Sequence, residues 1–90
     1  MPRYLIEREF PAGLVIPMDE AGAQLCRKVI DHNAGFEVTW IKSYATPDRK
    51  RTYCIYDGPS PEALRRAADC NKLPVTRITE VRVLDPYFFK

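Results

Sequence analysis

Residues 38–68 read VTWIKSYATPDRKRTYCIYDGPSPEALRRAA, and this stretch decides the fold. Val38 to Ala45 is rich in β-branched and aromatic residues, as a strand is. Thr46-Pro47-Asp48-Arg49-Lys50 makes a polar hairpin connection. Arg51 to Asp57 returns as a second strand, which Gly58-Pro59 breaks. Ser60-Pro61-Glu62 then opens a helix: Ser caps it, Pro fits the first turn, and Glu complements the helix dipole. Leu64, Ala67 and Ala68 form that helix's buried stripe, and the helix ends near Asn71, before Leu73-Pro74.

Reading outward toward the N-terminus, Tyr4 to Phe10 alternates as a strand and Pro11 ends it. Pro11 to Pro17 reads as a loop, and Asp19 is the expected N-cap of a helix running to about Asn33. Gly22, Leu25, Cys26, Val29 and Ile30 are its expected inner stripe, and Asn33 and Gly35 its stop. Toward the C-terminus, Ile78 to Leu84 is the last strand. Asp85-Pro86 stops it and leaves the aromatic tail Tyr87, Phe88, Phe89.

The order is therefore βαββαβ, two β-α-β units joined by a hairpin, in a single domain over 1–90. It predicts an α+β ferredoxin-like sandwich: a four-stranded antiparallel sheet with two helices on one face. Right-handed crossovers put the first and third strands in the centre and the second and fourth at the edges. The strand period of two then divides the side chains. Tyr4, Ile6, Ile41, Cys54, Val81 and Val83 are expected under the helices. Leu5, Glu7, Glu9, Trp40, Lys42, Tyr44, Tyr53, Ile55, Asp57, Glu80 and Arg82 are expected on the open face.

A face carrying Trp40, Tyr44, Tyr53 and Ile55 is too apolar to be left wet. A second copy of the chain is the simplest cover, since a two-fold contact is self-complementary and lets Glu7 and Glu80 meet Lys42 and Arg82. A homodimer is therefore the expected partner state. Glu7, Asp57 and Glu80 are the candidate metal ligands, on neighbouring strands of that face. Ion pairing with Lys42 and Arg82 is the plainer use of the same acids.

Other functions find little support in the composition. A net charge of +2 argues for neither a nucleic-acid nor a membrane partner. The third strand has the basic lead and aromatics of an RNA-recognition strand but none of its glycines. The single histidine, His32, has no evident catalytic partner, so no Cys-His or Ser-His-Asp set can be placed and no catalysis is expected. The three cysteines, Cys26, Cys54 and Cys70, are widely spaced and read as free thiols of a reducing cytoplasm. The charged N-terminus does not read as a signal peptide.

Four segments, PRYLIEREFP, VTWIKSYAT, RTYCIYDGPSPEALRRAA and LPVTRITEVRVLDPYFF, together resemble the nickel-responsive-protein-like family. These small domains were first catalogued as being of unknown function. The resemblance covers nearly the whole chain and is most specific in YCIYDGPSPEA and ITEVRVLDPYF. It implies a ferredoxin-like fold, a dimer, nickel binding in at least one branch, and no established enzymatic activity. Similar sequences commonly have His where this chain has Lys42. Imidazole suits nickel, whereas a protonated amine repels a divalent ion. The alternative function is that of a small-molecule-binding protein or enzyme of the dimeric α+β barrel type, with an enclosed pocket between two sheets.

Overall fold

The computed structural model describes residues 1–14 and 20–87. Its elements are β1 (Arg3–Glu9), α1 (Glu20–Ala34), β2 (Thr39–Ala45), β3 (Arg51–Asp57), α2 (Pro61–Cys70) and β4 (Arg77–Val81). The sheet order is β2-β3-β1-β4, and every neighbouring pair is antiparallel. This is the expected ferredoxin-like arrangement, with β1 and β3 at the centre. The expected cap at Asp19 and the tail residues Phe88 and Phe89 lie outside the described residues.

The two central strands set the core. Along β1, Tyr4, Ile6 and Arg8 are buried, and along β3, Thr52, Cys54 and Tyr56. Tyr4 pairs with Tyr56, Ile6 with Cys54 and Arg8 with Thr52, so these residues share the helix side. α2 lies over them through Ala63, Leu64, Ala67 and Ala68. Its short side chains allow a close approach, and Leu64 fills what remains. The Ser60 hydroxyl accepts from the Ala63 amide at 3.2 Å, capping the helix as its sequence predicts. Gly58 suits the turn before it, because a Cβ there would crowd Val38 Cγ1 at 3.0 Å.

α1 is seated less deeply. Gly22 and Asn33 are its buried residues, while Leu25 is 45% and Ile30 52% exposed. The expected inner stripe is therefore rotated: Asn33, read as a stop, belongs to the buried side instead. Its backbone carbonyl accepts from both Phe36 and Val38 as the helix ends. The left-handed residue there is Glu37, with φ 61°, and not Asn33 or Gly35. A polar bridge ties this end to α2. The His32 Nδ1–H donates to Asn71 Oδ1 at 2.7 Å, and Asn71 Nδ2 donates to Asn33 Oδ1 at 3.1 Å.

The faces of the two edge strands differ from the sequence reading. In β2, a bulge between Trp40 and Lys42 inserts Ile41 as an extra residue. Trp40 therefore pairs with Tyr56 and packs against the core, on the side opposite to that expected. Ile41, expected under the helices, is exposed and borders the open face. In β4, Ile78 pairs with Ile6 and takes the core side. That parity puts Glu80 on the helix side beside Tyr4, and Val81 on the open face beside Arg3. Val83, also expected inside, is exposed beyond the strand.

Cys54 is buried, Cys26 half-buried and Cys70 exposed, all as free thiols. Leu64→Ala should lower stability by about 2–5 kcal/mol, measured in urea melts. Thiol labelling of the native protein should be fast at Cys70 and slow at Cys54, and the substitution should speed it at Cys54. Rapid labelling of Cys54 in the unmodified protein would contradict the burial of this strand face.

Candidate functional site

The open face is a grid of three cross-strand rows, fixed by register. At one end stand Thr39, Asp57, Arg3 and Val81; in the middle Lys42, Ile55, Leu5 and Thr79; then Tyr44, Tyr53, Glu7 and Arg77. A shallow hollow crosses it between the edge strands, bordered by Leu5, Ile41, Tyr44, Ile55 and Val81, with Lys42 and Arg82 at its margins. Tyr44 is 60% exposed here. Of the residues expected to share this face, Lys42, Tyr44, Tyr53, Ile55 and Arg82 are brought together. Trp40 is removed to the other side by the bulge.

The three candidate metal ligands are not brought together. Asp57 is held by Arg3, whose Nε and Nη2 donate to its two carboxylate oxygens at 2.7 and 3.1 Å. That fork-shaped contact is the strongest geometry an arginine offers a carboxylate. Hydrogen bonding from Arg3 holds the Asp57 carboxyl below its ordinary value. Glu7 pairs in register with Tyr53 and Arg77, four residues along β1 from Arg3, about 13 Å away. Glu80 takes the helix-side parity of β4, although it and Asp57 border the same hollow at one end of the sheet. Among the described residues, no three His, Cys, Asp or Glu side chains gather as a metal ion would need. Within one chain the Glu7, Asp57, Glu80 set therefore does not fit nickel, and the cation nearest the middle of the face is Lys42.

The second acidic contact on the sheet, Glu9 with Arg51 at 3.1 Å, is an exposed pair. At the hairpin tip, Thr46 Oγ1 donates to Asp48 Oδ1 at 2.6 Å, and the Lys50 amide donates to the same oxygen at 3.0 Å. These bonds hold the Asp48 carboxyl below its ordinary value too. Asp48 is thus a turn-forming residue, and the Arg49-Lys50-Arg51 cluster is a solvated tip.

The sequence reading missed Arg8. It follows Tyr4 and Ile6 on the helix side and is only 3% exposed. Its Nη1 donates to the Pro74 carbonyl at 2.7 Å, and its guanidinium lies 5.9 Å from the Tyr56 ring centroid. Burial pushes the Tyr56 phenol up, and the charge of Arg8 works against that shift. The available signal was positional: an arginine at the inward phase of an otherwise apolar strand.

The family model described as nickel responsive protein SCO4226-like matches residues 4–81. The chain belongs to the nickel responsive protein SCO4226-like family. A solved structure of similar fold is the crystal structure of SCO4226 from Streptomyces coelicolor A3(2). It superposes with a TM-score of 0.71 at 19% identity, covering 92% of this chain and 99% of that one. At that identity the likeness establishes the shared fold of this SCO4226-like protein. Comparison with curated protein sequences finds no match. No helix among the described residues is long and apolar enough to cross a membrane.

Because Arg3 depresses the Asp57 carboxyl, the folded state binds fewer protons than the unfolded state between the two pKa values. The stabilisation is present above the ordinary carboxyl value, about 3.9, and is lost as pH falls through the folded value. Asp57→Asn should lower Tm more at pH 7 than at pH 2.5. Equal losses at both pH values would show that the Arg3 contact carries none of the effect.

Proposed function

We propose that this chain is a cytoplasmic, non-catalytic binding protein that works as a two-fold dimer through the open face of its sheet. The observation that carries the reading is the apolar strip of Leu5, Ile41, Tyr44, Tyr53, Ile55 and Val81 on a face that no element among the described residues covers. A contiguous apolar patch rimmed by charge is the usual mark of a partner surface. A two-fold contact sets this strip against itself. Glu7 supplies a carboxylate, and Lys42 and Arg82 supply cations, for pairing across such a contact. Glu80 is not among these groups, taking the helix-side parity of β4.

Nickel enters this reading through the family, and the chain should bind it weakly. Lys42 sits mid-face, where similar sequences commonly carry His, and its charge opposes a divalent ion. The alternative, a barrel with a pocket enclosed between two sheets, has less support. A mainly apolar cavity among the described residues lies between α1 and the sheet.

Light scattering after size-exclusion chromatography should give about twice the chain mass of 10.4 kDa. Tyr44→Glu should weaken the dimer by at least about 10-fold, since it places an unpaired charge in a desolvated contact. A monomer persisting at several hundred micromolar would remove the interface.

For nickel, isothermal titration of tag-free protein should show weak binding. Lys42→His should strengthen it by about 10-fold or more, the scale on which metal sites respond to single supporting groups. Tight binding by the unmodified chain, unchanged in Lys42→His, would place the metal elsewhere.

A further inference from the structure

Between α1 and the β2–β3 half of the sheet lies a cavity of about 140 Å³. Its walls are mainly apolar: Phe10, Leu25, Val29 and Trp40 are among them, together with Cys26 and Cys54. It lies beneath α1, which buries fewer of its residues than α2 does. Leu25 borders it and is 45% exposed, so the cavity reaches the surface beside α1. Engineered cavities of about 150 Å³ lined by aliphatic and aromatic groups stay dry and admit a benzene ring.

What distinguishes this cavity from a packing void is Arg8. Its side chain lines the cavity while being 3% exposed. Its Nη1 donates to the Pro74 carbonyl, and its guanidinium also interacts with the Tyr56 side chain, 5.9 Å from the ring centroid. Among the described residues no carboxylate pairs with it. A buried guanidinium in a low-dielectric site attracts an anion far more strongly than one in water does. Thr52 and Ser43, at the same end of the sheet, add hydroxyls to the lining.

We propose that this cavity is a binding site for a small apolar monocarboxylate, an aromatic or branched aliphatic acid of about six to nine heavy atoms, whose carboxylate pairs with Arg8. The size follows from the volume, the ring or branch from the Trp40, Val29 and Phe10 walls, and the single negative charge from Arg8. The site is on the opposite side of the sheet from the proposed dimer face, so the two readings stand or fall separately.

Benzoate is the probe, with benzamide as its neutral isostere. Trp40 is the only tryptophan, so its emission reports on the cavity directly. Benzoate should change that emission saturably with a Kd below about 1 mM, within reach of a nine-atom ligand. Benzamide should bind at least about 10-fold more weakly, the smaller share of what a charge-assisted pair provides. Benzoate should also slow alkylation of Cys26, which lines the cavity and is half-buried. Arg8→Met keeps the apolar stem and should abolish the preference for benzoate over benzamide. Should Arg8→Met not fold, Val29→Trp, which fills the cavity and leaves Arg8 in place, should abolish binding of both. The proposal is overturned by no saturable change at 10-fold above that Kd limit. Equal binding of benzoate and benzamide, a preference surviving in Arg8→Met, or binding unaffected by Val29→Trp would overturn it equally.

Discussion

The pairing of β1 with β3 is the constraint on which the rest of the molecule depends. Once Ile6 is set opposite Cys54, the whole burial pattern of both strands follows from the period of two. Tyr4 and Tyr56 fall beneath the helices, and Leu5 and Ile55 fall on the open face. The same register brings Arg3 against Asp57, turning a candidate ligand into half of an ion pair. A slip of one residue would lose all of these relations together. The glycine at position 58 lets the chain turn from β3 close past Val38 into α2, which then closes over the pair.

The two helices cover the sheet unequally, and that inequality shapes both sides of the protein. α2 presents alanines and one leucine, so its backbone can come close. α1 presents a mixture of Gly22, Cys26, Val29 and Asn33, with Leu25 and Ile30 left largely in solvent. The space beneath it is the cavity that Trp40 enters from β2. Trp40 would have enlarged the apolar strip on the open face had the bulge not turned it inward. One inserted residue thus moves aromatic area from the open face of the sheet to the cavity beneath α1.

The parts of the fold that were legible in the sequence are those with local signals. β3 and the Ser60 cap have unambiguous punctuation, and their limits match the expectation closely. The strand faces were less legible, because alternation gives parity but not which parity points inward. In β4, Val81 and Val83 are the residues expected under the helices, yet Ile78 is the one that meets Ile6. In β2, the bulge changes parity mid-strand without any glycine to announce it. The spacing of the candidate acids was illegible for a different reason. Glu7 and Asp57 do share a face, but distance along a strand and a competing arginine are properties of the register. Arg8 escaped notice because a charge at an inward position reads as an error in phase until its buried partners are seen.

The bridge of His32, Asn71 and Asn33 has a consequence for how the native state opens. It fastens the C-terminal end of α1 to α2 with side-chain hydrogen bonds, while the middle of α1 stands over the cavity and has little packing to lose. Stability is then graded along one helix. The amides near Asn33 should therefore open together with α2, and those around the exposed Leu25 more readily. In hydrogen-exchange terms the bonded end of α1 should be the better protected part of the helix.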